Sequence, residues 1–137
     1  LVDAGVPIAQ IDVLEPGHLY GYGICNVIPH IVKHNVPNCG WKIWLDGRKL
    51  FYCTDMNNLN GISAPNYDLY MVEANYDDKE IQAKIAEKKL TGEYIYEKRV
   101  LRDHMSVAKV NDWLYANMGP NSAYIYMHCH QDKEGST

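Results

Sequence analysis

Residues 41–55, WKIWLDGRKLFYCTD, contain the sharpest local structural signal in the sequence. Two runs rich in aromatic and aliphatic residues, 41–45 and 48–54, flank the dipeptide Asp46-Gly47. Asp-Gly readily adopts the left-handed backbone of a two-residue turn, so this pattern predicts a β-hairpin. Asp55 follows the second run directly, and the prediction therefore places its carboxylate at the end of a strand.

The segments on either side of the hairpin predict further strands. Residues 26–34 (NVIPHIVKH) alternate with a period near two and predict a strand that ends at His34, in which Pro29 indicates an edge or a bulge. Residues 68–74 (DLYMVEA) are apolar enough for a strand buried on both faces. Residues 123–127 (AYIYM) predict a last strand, and His128 follows it.

Between the last two strands the pattern becomes helical. Residues 77–90 carry Ile81 and Ile85 on one stripe, begin with an acidic turn, and are followed by Gly92 as a stop signal. A second helix is predicted from a cap at Ser106 through Asn117, before a Gly-Pro pair.

The order strands, helix, helix, strand predicts an α/β domain, with α+β as the alternative. Two main helices would cover one face of a mixed sheet that includes the hairpin. We assign residues 1–137 to this single domain and expect the polar residues 131–137 to form a flexible tail.

The composition is that of a folded protein, with 47% hydrophobic residues and a net charge of −4. This charge argues against a protein that coats DNA or anionic lipid through its overall field. The four cysteines are widely spaced without a C-x-x-C pair, which predicts buried free thiols. No apolar run approaches the ~20 residues of a membrane span, so we expect a cytoplasmic protein without a membrane partner. The chain begins with Leu1, which suggests processing, trimming or a piece of a longer chain.

Three candidate metal ligands close predicted strands: His34, Asp55 and His128. Neutral imidazole and carboxylate are the ligands of hydrolytic zinc or manganese centres. Separations of 21 and 73 residues do not establish a site. The alternative therefore stays open that Asp55 caps a turn and that the histidines are ordinary surface residues.

Five motifs, in order, resemble the metallo-β-lactamase fold. They are His34 with the turn Val36-Pro37-Asn38-Cys39-Gly40, the run Tyr52-Cys53-Thr54-Asp55, the strand Tyr70-Met71-Val72-Glu73-Ala74-Asn75, the segment His104-Met105-Ser106, and Tyr126-Met127-His128. The resemblance covers the chain from about residue 18 onward and is closest to the branch of nucleases and phosphodiesterases that includes ribonuclease Z-like proteins and their phage- and bacteria-encoded relatives. It implies the carboxy-terminal half of an αββα sandwich.

The resemblance also implies roles for individual residues. His34 would bind a first metal ion, Asp55 would bridge, and His128 would bind a second ion, with zinc or manganese as the metal. Glu73 and His104 would form the acid–base pair that protonates a leaving oxygen. For Glu73, a strand-end carboxylate bonded to backbone is the open alternative, and we expect His130 to be a surface histidine.

One family motif is missing: the H-x-H-x-D-H loop of the amino-terminal half occurs nowhere in the chain. The metal site is therefore expected to be incomplete. Our first hypothesis is the carboxy-terminal part of a metal-dependent hydrolase of phosphodiester bonds in nucleic acid or nucleotides, inactive by itself. Its partner would be the missing half or a second copy of the chain, which would cover the open face of the sheet.

Two other hypotheses remain. One is a shortened, non-catalytic scaffold, possibly phage-related in origin, that acts as a binding or inhibitory module. The other is an unrelated small α/β domain whose motifs match by coincidence.

Overall fold

The computed structural model describes residues 1–129, and within them six strands form one mixed sheet. In sheet order, which is also chain order, the strands are β1 (Tyr20–Gly21), β2 (Cys25–Val32), β3 (Asn38–Leu45), β4 (Arg48–Cys53), β5 (Leu69–Glu73) and β6 (Ala123–Met127). The first four strands are antiparallel, whereas β4, β5 and β6 run parallel. This confirms the predicted mixed sheet with its hairpin.

Three α-helices lie in the crossover between β5 and β6. They are α1 (Asp78–Thr91), α2 (Glu97–Asp103) and α3 (Val107–Asn117), and two 3-10 helices, Val2–Ala4 and Ile8–Gln10, precede the sheet. Two neighbouring parallel strands require such a crossover, because the chain must return to the end of the sheet where the first strand began. None of the described helices has the length and apolar character of a membrane-spanning segment.

The local signals in the sequence form the turns and caps that they predict. Asp46 and Gly47 have φ angles of 49° and 74°, as a two-residue hairpin turn requires. Asp77 accepts hydrogen bonds from the backbone N–H groups of Lys79 and Glu80, and Gly92 ends α1 with a left-handed φ of 74°. Ser106 caps α3 in the same way.

Other local expectations need correction. The second strand ends at Val32, so His34 lies in the turn beyond it rather than at its end. Strand β5 is buried on one face only, because Leu69 and Met71 are half-buried. The sequence pattern did not predict α2, because its seven residues are too few to show a periodic apolar stripe.

The four cysteines are free, as predicted, but only Cys53 is buried and Cys129 is exposed. The tail expected at 131–137 and the surface position expected for His130 lie outside the described residues.

The main core lies between one face of the sheet and α3. Phe51 of β4 and Tyr70 of β5 are fully buried there, and both rings pack against Trp113 of α3, with centroids 4.9 and 5.8 Å away. Val110 and Leu114 complete the helix side of this core. A smaller cluster is formed mainly by α1 and α2. The main core holds α3 against the sheet, and the smaller cluster holds α1 and α2 against each other.

The opposite face of the sheet is apolar and only partly covered. Register aligns one row of side chains across four strands, Trp41, Tyr52, Met71 and Ile125, and a second row beside it, Ile43, Leu50, Leu69 and Ala123. All are half-buried or exposed, and Ile125 is 48% exposed. These eight side chains form a continuous apolar strip on the side of the sheet opposite the main core.

Candidate metal centre

Four potential metal ligands meet at one edge of the sheet: Asp55, Glu73, His104 and His128. Each offers one ligand atom, and these atoms all lie within 4.8 Å of one another. Asp55 follows β4, Glu73 ends β5, and His128 follows β6. Because these three strands are parallel, their carboxyl ends share an edge, which is where open α/β sheets commonly bind ligands. The fourth ligand, His104, enters from the end of α2.

The backbone at this edge is held in an uncommon conformation. Asp55 and His128 have φ angles of 55° and 49°, and non-glycine residues in this left-handed region are often found at functional sites. Two asparagine side chains hold these turns. Asn38 donates to the carbonyl oxygen of Asp55 at 3.0 Å, and Asn75 donates to that of His128 at 2.9 Å.

Glu73 is the centre of the cluster and is fully buried. Its Oε1 lies 2.6 Å from His104 Nδ1, and its Oε2 accepts a hydrogen bond from the Met56 N–H at 3.0 Å. Burial raises the pKa of Glu73 to about 7, although the Met56 N–H and the charge of His128 oppose this shift. Burial also lowers the pKa of His104, and nearby His34 adds to that effect.

The exposed side of the cluster is an imidazole–carboxylate pair. His128 Nδ1 lies 3.1 Å from Asp55 Oδ1, and both side chains are a little over two-fifths exposed. The same nitrogen is 3.9 Å from Glu73 Oε2. The cluster therefore has a buried carboxylate behind and an accessible pair in front, so an ion or substrate can approach from solvent.

His34 lies beside this cluster rather than in it. Its ring centroid is 5.3 Å from that of His104, and its Nδ1 is 3.0 Å from the carbonyl oxygen of Asp103. Since a carbonyl can only accept, Nδ1 must carry the proton, and in the neutral ring Nε2 then keeps its lone pair for a ligand.

The structure therefore brings together four of the five residues singled out from the sequence. The predicted ligands Asp55 and His128 lie next to the predicted acid–base pair Glu73 and His104, which are in direct contact. The two supporting asparagines were not predicted from the sequence. Asn75 belongs to the strand motif at residues 70–75, but nothing in the local pattern indicated that its amide would reach a residue 53 positions away.

The donor set fits a divalent metal ion. Imidazole nitrogens and carboxylate oxygens are ligands for zinc and for manganese. Burial destabilises the ionised form of Glu73, and a cation in the cluster would offset that cost.

Solved structures share this architecture. The chain is similar to the metallo-β-lactamase fold protein YhfI from Bacillus subtilis, with a TM-score of 0.62 and 12% identity, over 85% of this chain and 40% of that one. It is also similar to the short form of human tRNase Z, ELAC1, with a TM-score of 0.53 and 16% identity, over 82% of this chain and 39% of that one. The chain thus spans about two-fifths of the length of each. No family model and no curated protein matches the sequence. The described chain therefore has part of the metallo-β-lactamase fold.

Proposed function

We propose that this chain is the carboxy-terminal part of a metal-dependent hydrolase that acts on phosphodiester bonds in nucleic acid or nucleotides. The observation that carries the proposal is the cluster of Asp55, Glu73, His104 and His128 at adjacent strand ends. One of the similar solved structures is that of a tRNase Z, which supports phosphodiester chemistry as the reaction class.

Each residue of the cluster has a role in this proposal. Asp55 and His128 bind a zinc or manganese ion, and His34 supplies a further imidazole from the adjoining turn. When bound, such an ion would polarise the phosphodiester and lower the pKa of a water molecule. Glu73 accepts the Nδ1 proton of His104 and so orients the ring, which leaves Nε2 to protonate the leaving oxygen. The lowered pKa of His104 makes its imidazolium a readier proton donor.

The proposal requires a second protein part. The chain lacks the H-x-H-x-D-H sequence, and it spans only 40% and 39% of the two similar structures. Its sheet also has an apolar face of half-buried and exposed side chains. We propose that the missing half packs on this face and completes the ligand shell, with a second copy of the chain as the other candidate. Alone, the chain is expected to be inactive.

A second candidate function is a non-catalytic binding or inhibitory module. The missing ligand loop favours it, because a scaffold that only binds has no need of a complete metal shell. Metal binding separates the two candidates, since the scaffold function does not require it.

The test is calorimetric titration of the chelator-treated chain with Zn²⁺ and with Mn²⁺. We expect stoichiometric binding of one of them that is lost in the double variant Asp55→Asn/His128→Gln. The matched control is His18→Gln, which removes an exposed imidazole far along the chain from the cluster. Equal binding in the double variant, or no binding by the unaltered chain, would contradict the proposed hydrolase.

A second measurement addresses activity. A chain that carries the H-x-H-x-D-H half is added, and hydrolysis of bis(4-nitrophenyl) phosphate is followed. We expect turnover only when both parts and the metal are present. Turnover that survives the Asp55→Asn/His128→Gln substitution would place the reaction elsewhere.

A further inference from the structure

Strand β6 forms an open edge of the sheet. Its inner side pairs with β5, and within residues 1–129 no strand pairs with its outer side. The strand has no charged residue, no proline and no bulge, which are the usual features that keep an edge strand from pairing with another chain. The opposite edge strand, β1, has only two residues and is protected by its shortness. The edge at β6 is therefore open to a further strand.

The pairing of β6 with β5 shows which backbone groups are left on the outer side. The Ala123 N–H and the Met127 carbonyl bond to the residues that flank β5, at 2.9 and 3.0 Å. Because the N–H and C=O groups of successive strand residues point to opposite sides, residues 123, 125 and 127 face β5, whereas Tyr124 and Tyr126 face outward. Two N–H and two C=O groups are thus without a partner in the part of the chain that the structure describes.

A second copy of β6 can satisfy all four of these groups. If two copies pair antiparallel about a two-fold axis at Ile125, Tyr124 of each copy lies opposite Tyr126 of the partner subunit. Such a pair exchanges two hydrogen bonds in an antiparallel ladder, so the two pairs use every outward group of both strands. Ile125 then faces its own copy in the closer, non-hydrogen-bonded position. A two-fold axis brings identical residues together, and because β6 has no charged residue, no like charges meet.

Exposed aromatic side chains lie beside this edge on the side of α3. Tyr124 is 49% exposed, and its ring centroid lies 5.1 Å from that of Tyr126, whose hydroxyl bonds to Asn111 of α3. Tyr115 follows Asn111 by four residues, so it projects from the same side of the helix, and it is almost wholly exposed. Tyrosine is enriched at protein interfaces, and main-chain hydrogen bonds supply the affinity when a strand is added to a sheet edge. The edge of β6 has both features.

We propose that two copies of this chain pair through β6 about a two-fold axis at Ile125, which joins their sheets into one. The contact uses the edge of the sheet and leaves its apolar face free for the missing half, so the inference does not depend on the proposed function. Antiparallel pairing directs the two metal clusters to opposite ends of the pair. His128 lies three residues from the axis in each copy, so at about 3.3 Å per residue the two are about 20 Å apart along the strands.

The first test is sedimentation equilibrium of the full chain in chelator and reductant, the latter because Cys129 is exposed and could form a disulfide. A contact of this size predicts a dimer with a dissociation constant on the order of micromolar. Tyr124→Pro removes an outward N–H and no bond to β5, whereas the matched control Tyr124→Ala removes the same ring and keeps the N–H. We expect Tyr124→Pro to dimerise at least about tenfold more weakly than Tyr124→Ala. Equal dissociation constants, or an unaltered chain that stays monomeric at millimolar concentration, would overturn the inference.

The second test separates the edge from the apolar face. Ile125 and Met71 are neighbours in one row of that face, but only Ile125 lies on the edge strand. Ile125→Lys would place two like charges opposite each other at the axis, so we expect it to abolish the dimer, whereas Met71→Lys should retain it. The reverse result would show association through the apolar face and contradict the inference. If Tyr124→Pro does not fold, this pair of variants decides. Ile125→Lys should bind metal as the unaltered chain does, so the dimer and the proposed hydrolase can fail separately.

Discussion

Replacing Glu73 by glutamine should stabilise the metal-free chain at pH 8 and change its stability little at pH 5. Glu73 is fully buried, accepts from the Met56 N–H, and lies 2.6 Å from His104 Nδ1. Glutamine has the shape of the protonated acid. Its carbonyl can accept from Met56, and its amide can donate to His104 in the other tautomer of that ring. Glu73→Gln therefore removes the buried charge and retains both hydrogen bonds.

The magnitude follows from the pKa of Glu73, which burial raises from the ordinary 4.5 to about 7. The folded chain binds this proton more tightly than the unfolded chain does. The contribution of Glu73 to stability is therefore present below pH 4.5 and is lost as the pH rises through 7. At about 1.4 kcal/mol per pH unit, the loss by pH 8 is about 3 kcal/mol. The lowered pKa of His104 has the opposite effect, because it makes the fold less stable as the pH falls below 6.5. The effect of Glu73 is therefore taken from the difference in unfolding free energy between the unaltered chain and Glu73→Gln.

The assay is urea unfolding in chelator at pH 5, 6, 7 and 8, followed by the fluorescence of the three tryptophans. We expect the advantage of Glu73→Gln to grow from about 1 kcal/mol or less at pH 5 to about 3 kcal/mol at pH 8. Glu80→Gln, at an exposed position of α1, should show no such trend. With saturating Zn²⁺ or Mn²⁺ the unaltered chain should be more stable than Glu73→Gln, because a bound cation stabilises the carboxylate. A difference in stability that is constant with pH in chelator would show that the pKa of Glu73 is not raised in the folded chain.

Two further predictions concern the core around the site. Tyr70→Phe should destabilise the fold by about 1–3 kcal/mol in urea unfolding, because the buried hydroxyl lies 2.6 and 2.9 Å from two backbone carbonyls and 3.0 Å from an N–H group. Tyr115→Phe, on a side chain 92% exposed, should have no measurable effect. Gly40→Ala should cost about 1–3 kcal/mol, since a new Cβ would lie 2.8 Å from the buried Cys53 Sγ. Adding Cys53→Ala should recover part of that loss, and an additive double variant would show that the contact is not the cause.

Local chemistry made much of the fold predictable from the sequence. Asp46-Gly47 needs only its own backbone to form a hairpin turn, and Asp77, Gly92 and Ser106 act within one turn of a helix. These signals act between residues two to four positions apart, so they can be recognised without knowledge of the tertiary structure. The short α2 has no such signal. Its Glu97 and Asp103 are buried, and a buried polar face hides the apolar period by which a helix is recognised.

The type and order of the main elements, and the residues that carry metal-ligand chemistry, follow from the amino-acid sequence. Which of those residues come into contact depends on the tertiary fold. Asp55 and His128 are 73 positions apart and come into contact because β4, β5 and β6 are parallel and end at one edge. His34 lies beside the cluster because β2 ends two residues earlier and its Nδ1 faces the Asp103 carbonyl. Strand register and the crossover through α1–α3 act over tens of residues, and no local pattern contains them.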